Sequence, residues 1–239
     1  MGTSLFPSFT KVWHDKPYLA ISPSRPELSA KGKTVVITGG GSGIGTAITK
    51  AFAAAGSAKI AIIGRTEEKL LTVKNTVETA FPGTKVLVIV ADINHMEQVD
   101  EGFNKIDQTF GKIDVFVNNA AFLPVPKPLL SSDLDIQDCW TAFSTNILGT
   151  LHCVRAFANH AAGEACLVNI STAVSHIPPL EAGAAGYSAS KAAASKLLDY
   201  IGFENPGLHV VNVHPGLVES DMSRKSGHGG LDDGQSLPM

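Results

Sequence analysis

The chain carries six short apolar runs rich in β-branched residues: "TVVIT" from Thr34, "KIAII" from Lys59, "KVLVIV" from Lys85, "DVFVN" from Asp114, "CLVNI" from Cys166 and "HVVNV" from His209. They lack strict alternation of apolar and polar positions, as strands buried on both faces do. The segments between them are long enough for crossover helices, so parallel pairing follows. In the first such segment Ile44, Ala47, Ile48, Ala51, Phe52 and Ala55 recur at helical spacing, and Gly56 stands where a C-terminal cap falls. The pattern predicts an α/β fold, a doubly wound parallel sheet of six or seven strands with helices on both faces.

The flanks read differently. Residues 1–30 hold Pro7, Pro17, Pro23 and Pro26 among serines and aromatics, which predicts an extended arm packed by Phe6, Phe9, Trp13 and Tyr18. Residues 31–222 make the expected folded domain. Residues 223–239, with "GHGG" and "DDGQ", have few apolar anchors and predict a mobile tail.

Composition narrows the ligand. A length of 239 residues with 44% hydrophobic content suits one large domain. The net charge of −3 with dispersed basic residues points away from nucleic acid and acidic membranes, toward a small soluble molecule. Cys139, Cys153 and Cys166 lack CxxC spacing, so neither a disulfide framework nor a zinc site is indicated. No histidine lies in a metal-ligand pattern, so no metal is expected; His152 and His176 read as packing or pocket-lining residues. There is no apolar block of signal-peptide type, nor a run near the roughly 18 residues that span a bilayer. A cytoplasmic location is the expectation.

The stretch "TVVITGGGSGIGTAI" puts glycines between the first strand and its helix. Gly39 suits a tight turn, Gly43 a close backbone approach to a pyrophosphate, and Gly45 the packing of helix on sheet; Gly41, Ser42 and Ile44 complete the turn. Phosphates would then sit on free N–H groups at the positive end of a helix. The literal GxGxxG pattern is absent, and the reading rests on the strand, turn and helix context. Arg65 follows the second strand, twenty residues beyond Gly45, where a carboxylate would bind the ribose 2′-hydroxyl of NAD. A guanidinium pairs instead with a 2′-phosphate, so NADP(H) is the expected cofactor.

In order along the chain, "TGGGSGIG", "NNA" at 118–120, Asn146, "YSASK" from Tyr187 and "HPG" at 214–216 resemble a short-chain dehydrogenase/reductase. The resemblance covers roughly residues 31–222 and implies a Rossmann fold. It makes Asp92 a contact for the adenine, and places Asn119 and Ala120 beside the cofactor. Asn146 would hold a water for proton relay, with Tyr187 and Lys191 as the catalytic pair. Pro215, Gly216, Val218 and Ser220 would cup the nicotinamide amide; Ser220 stands where the family usually has threonine. The catalytic serine of the family is matched by Thr172, with Ser171 as runner-up and Ser175 a more distant one. The interval to Tyr187 is lengthened by an apparent insertion in "SHIPPLEAGAAG".

Threonine keeps the hydroxyl but stiffens χ1 and takes space beside a substrate. The family usually adds a seventh strand and a final helix, whereas this sequence stops soon after the sixth run. Either a piece is missing or the sheet ends at an exposed edge that favours self-association. The small residues Ala182, Ala184, Ala185, Ala189 and Ala192 to Ala194 suit either a subunit contact like the helix-pair interface of the family or a plain internal helix contact; a homo-oligomer, dimer or tetramer, is the expectation.

A free phenol has a pKa of about 10, too high for easy proton exchange near neutrality. Lys191, one helical turn after Tyr187, would bring an ammonium to the same face and favour the phenolate. Lowering the phenol by about three units takes about 4 kcal/mol of differential stabilisation. The resulting expectation is an NADP(H)-dependent oxidoreductase acting on a ketone or secondary alcohol, a small-molecule substrate. The alternative is a catalytically silent NADP-binding sensor or scaffold of the same fold. The Pro-rich arm and "HPGLVESDM" also resemble reductases of fungal secondary metabolism, which hints at aromatic or polyketide-like ketones.

Overall fold

Among the described residues, six strands form one sheet: β1 (Thr34–Thr38), β2 (Lys59–Gly64), β3 (Lys85–Val90), β4 (Ile113–Asn118), β5 (Ala161–Ile170) and β6 (His209–Val213). This computed structural model describes residues 18–179, 181–216 and 218–225. The strand order is β3-β2-β1-β4-β5-β6, and every pairing is parallel. Among the described residues the α-helices are α1 (Gly43–Ala54), α2 (Glu67–Ala80), α3 (Met96–Phe110), α4 (Ile136–Phe143), α5 (Thr150–His160), α6 (Ala185–Glu204) and α7 (Asp221–Lys225), with a π-helical turn, Ser144–Gly149, joining α4 to α5.

The predicted absence of alternation has its reason in β1, where all five residues are buried. Successive side chains enter opposite layers. Val35 and Ile37 pack with Ala53, Leu70, Val73 and Val77 of α1 and α2. Val36 packs on the other side with α3, α5 and α6, through Phe103, Phe157 and Leu198. In that second layer the Phe116 ring lies edge-on to Phe103 at 5.6 Å and tilted against Phe157 at 5.2 Å.

The winding reverses between β1 and β4. Chains leaving these two neighbouring strands go to opposite faces, which opens a crevice at their C-terminal ends. That crevice lies between the turn after β1 and the loop after β4.

Three expectations are corrected. Strand β5 starts at Ala161, before "CLVNI", because Ala161 still pairs with Ile113 before the register shifts between Ile113 and Val115. Residues 18–30 are not simply extended: they hold two 3₁₀ turns, Leu19–Ile21 and Pro26–Leu28, the second favoured by the preset φ of Pro26 at its first position. The expected packing by Phe6, Phe9 and Trp13 lies outside the described residues. Residues 223–225 belong to α7, while 226–239 of the expected tail lie outside the description. No helix among the described residues is long and apolar enough to cross a membrane.

Phe116→Ala should lower stability by about 3–5 kcal/mol, since it empties the space between two rings in a fully buried layer. Urea unfolding monitored by circular dichroism measures this, and a loss below 1 kcal/mol would contradict the packing described.

Candidate active site

The glycine turn is built by close approach. Gly39 has φ +67°, and a Cβ there would come within 2.8 Å of Asn119 Nδ2. At Gly45 a Cβ would fall 2.1 Å from the Gly39 carbonyl oxygen, so α1 starts directly against the turn. Gly41 lies against Leu70 of α2. Ser42 is the N-cap of α1 but makes no capping bond with its side chain, and no acidic residue occupies the first turn. Unpaired N–H groups and an uncompensated positive helix end suit an anionic group such as a dinucleotide diphosphate.

Thr38, the last residue of β1, fastens this turn to the loop after β4. Its hydroxyl accepts from the backbone N–H of both Asn119 and Ala120 at 3.0 Å, and Asn119 Nδ2 donates to the Thr38 carbonyl at 2.8 Å. Arg65, at the end of β2, is 71% exposed and lies 3.8 Å from Asp92 Oδ2 at the end of β3. The other oxygen of Asp92 accepts from the backbone and side chain of Asn94. These two residues therefore share one corner of the crevice. Ser220 sits against Gly43, Gly216 turns the chain with φ +84°, and Lys69 of α2 pairs with Asp221 of α7 at 3.9 Å. Pro215 and Val218 are half-buried in the same segment.

Helix α6 carries the phenol and the amine. Lys191 is 4% exposed, and its Nζ donates 2.7 Å to the carbonyl of Ile170, the last residue of β5. Burial pulls this amine down to about 8. Tyr187 is half-buried, and burial pushes its phenol up to about 12. The expected lowering of the phenol is therefore not present in the chain by itself. The desolvation of a phenolate outweighs the help of an amine that burial drives toward neutrality.

Asn146 lies in the π-helical turn, yet its side chain is not free for water. Its oxygen accepts from the Phe122 N–H at 2.7 Å, and its nitrogen donates to the Phe122 carbonyl and to Ser190 Oγ, both at 2.9 Å. Ser190 in turn donates to the Tyr187 carbonyl at 2.7 Å. Ser171 is turned into α6, where its hydroxyl pairs with Ser195 at 2.8 Å. Ser175 is engaged with the Thr172 carbonyl and with His176. Among the described residues the Thr172 hydroxyl has no hydrogen-bond partner, so of the three candidates it alone is unengaged. Residues 171 and 176 line a cleft of about 290 Å³ with Ser195, Lys196 and His214. The His214 imidazole there is pushed down by burial and then by neighbouring His176.

Four contributors escaped the sequence reading: Thr38, Phe122, Thr150 and Ser190. Ser190 had a visible signal, since it lies inside "YSASK" on the helix that carries Tyr187. Phe122 had none, because only its backbone takes part.

The sheet order and the glycine turn at its reversal define a Rossmann fold. A family model described as short chain dehydrogenase matches residues 33–229, and the chain belongs to the short-chain dehydrogenase/reductase family of oxidoreductases. It is 33% identical over 222 residues to a short chain dehydrogenase/reductase of Claviceps purpurea (strain 20.1), a match covering 91% of this chain and 73% of that protein. Among solved structures, a short chain dehydrogenase from Burkholderia cenocepacia J2315 in complex with NADP is 29% identical with a TM-score of 0.73, covering 80% of this chain and 77% of the other. An alcohol dehydrogenase from the archaeon Thermococcus sibiricus, complexed with 5-hydroxy-NADP, is 28% identical with a TM-score of 0.73, covering 87% and 81%.

The buried amine predicts a pH dependence of stability. Its folded pKa of about 8 lies below the free value of 10.5, so between these values the unfolded chain binds more protons and stability rises with pH. From pH 7.5 to 9.5 the wild type should gain on the order of 2 kcal/mol relative to Lys191→Met in urea unfolding. Parallel pH profiles for the two proteins would show that residue 191 is not a desolvated amine.

Proposed function

We propose that the chain is an NADP(H)-dependent oxidoreductase interconverting a ketone and a secondary alcohol, with Tyr187 exchanging the proton. The observation that carries this reading is the amine of Lys191, almost wholly buried and held by a backbone carbonyl, one turn from a phenol at the C-terminal end of the sheet. Lysine is rarely buried without a charged partner, and a buried group with a strongly shifted pKa marks a candidate functional site.

The unpaired N–H groups of α1 fit the diphosphate, and the exposed Arg65 fits a 2′-phosphate better than a bare ribose hydroxyl. Relatives of known structure that hold NADP or 5-hydroxy-NADP support the choice of cofactor. Asp92, Asn119, Ala120 and residues 215–220 would complete its site. A bound nicotinamide supplies or accepts the hydride and, when oxidised, brings a positive charge.

Burial keeps the Tyr187 phenol protonated, which suits a proton donor to a carbonyl oxygen during reduction. Thr172 offers an unengaged hydroxyl to orient that oxygen. Lys191, pulled down to about 8, can give up a proton near neutral pH and take another from solvent. Asn146 holds the Phe122 backbone and, through Ser190, the Tyr187 carbonyl. An apolar face on α4, with exposed Ile136 and a Trp140 ring stacked on Phe143, supports assembly as a homo-oligomer.

Tyr187→Phe should lower kcat by about 10²- to 10⁴-fold on a panel of aryl and alkyl ketones while NADPH still binds. Undiminished turnover in that variant would refute the catalytic assignment, and NADPH binding without turnover in the wild type would favour the silent sensor. Fluorescence titration of Arg65→Ala should show NADPH binding weakened by roughly tenfold or more, about 1.4 kcal/mol, with NADH little changed. Equal losses for the two nucleotides would remove the 2′-phosphate argument.

A further inference from the structure

Asparagine occupies one register position on three neighbouring strands. Asn118 of β4 pairs with Asn169 of β5, and Asn169 with Asn212 of β6. Asn118 and Asn169 are each 1% exposed, in a place where an apolar side chain would avoid the cost of burying an amide. Asn118 Nδ2 donates to Asn169 Oδ1, and Asn169 Nδ2 to Asn212 Oδ1, both at 2.8 Å. The last amide, Asn212 Nδ2, donates 3.0 Å to Asp199 Oδ1 on the exposed side of α6. At the inner end Asn118 Nδ2 also donates to Thr150 Oγ1 at 3.0 Å, and Thr150 Oγ1 donates to the Asn146 carbonyl at 2.9 Å.

Every amide donates in the same direction, and the outer end explains why. A carboxylate only accepts, so Asn212 must turn its NH₂ to Asp199 and its oxygen to Asn169. Asn169 is then fixed the same way, and the NH₂ of Asn118 is left toward Asn169 and Thr150. A hydroxyl has one proton; with Asn118 donating into it, Thr150 directs that proton to the Asn146 carbonyl. Aligned amides also polarise one another. One buried oxygen, Asn118 Oδ1, remains without a partner. A sheet shaped for stability alone would avoid that cost with an aliphatic residue.

We propose that Asp199, which lines the cleft beside Ser171 and His176, is a positioning residue: through Asn212, Asn169 and Asn118 it orients the Thr150 hydroxyl and so holds the Asn146 carbonyl within the π-helical turn of the active site. The effect on turnover rests on the reading of Asn146 as part of the catalytic group. The orientation of the amides does not.

Asp199→Leu removes the terminal acceptor at an exposed position, where folding is not at stake, and Asp199→Asn retains an acceptor oxygen. In protein labelled with ¹⁵N-asparagine, the side-chain amide signals of Asn118 and Asn169 should shift in Asp199→Leu and return toward their wild-type positions in Asp199→Asn. With NADPH and the ketone of the panel that the wild type reduces fastest, Asp199→Leu and Thr150→Val should lower kcat roughly tenfold with KM for NADPH unchanged. Asp199→Asn and Thr150→Ser should restore most of it. Unmoved amide signals in Asp199→Leu would overturn the oriented chain whatever the turnover, and moved signals with wild-type kcat would overturn the positioning role. Full turnover by Tyr187→Phe would instead remove the catalytic reading and leave the amide signals to decide on the chain.

Discussion

The amine of Lys191 lies almost entirely out of water and donates to the carbonyl that ends β5. Removing an ammonium from water costs several kcal/mol even after relaxation, and two features reduce that cost: the single short hydrogen bond and the loss of the proton near pH 8. The contact also fixes α6 to the end of the sheet. Once Ile170 and Lys191 are joined, Tyr187 is placed one turn back along the same helix. Ser190, beside the amine, then links that turn to Asn146. One buried side chain thus sets the height of the helix over the strands, and the neighbouring groups follow.

The sheet is apolar through most of its depth and polar at its C-terminal ends. Thr38, Asn118, Asn169 and Ser171 are all buried there. Each is paired across strands or to a helix, as burial requires. This polar layer joins loops that the apolar layers would leave free to shift: the glycine turn through Thr38, the π-helical turn through Asn118 and Thr150, and α6 through Ser171 and Asp199. The result is a rigid rim beneath a crevice whose own walls come from irregular segments, the arrangement expected of sites on a preorganised scaffold.

Much of this was legible in the sequence because it depends on local pattern. Apolar runs without alternation mark doubly covered strands, so five of the six begin within a residue of where the runs predict. The glycines at 39, 43 and 45 announce a turn because few other residues meet its steric demands. What stayed hidden depends on register between distant segments. That Asn118, Asn169 and Asn212 align cannot be known until the pairing of β4, β5 and β6 is fixed. The engagement of Ser171 with Ser195, which separates it from Thr172, is likewise a tertiary fact. The pKa of Tyr187 was read from its neighbour in sequence, when the burial of the pair is what moves both groups.

Because all six strands run the same way, the loops that precede them gather on one side and those that follow on the other. The preceding loops contain Gly32, Gly56, Gly83, Gly111 and Gly207, and at each of these a Cβ would meet nothing within 4 Å. Gly39 and Gly45 on the opposite side are crowded by backbone. Of these five, Gly83 and Gly207 also lack a positive φ, so the loops before β3 and β6 have both the space and the backbone conformation to accept a side chain. A fluorophore, an affinity handle or a surface tether placed at exposed residues 82–83 or 206–207 would leave the crevice undisturbed, which makes those loops the natural place to immobilise the protein.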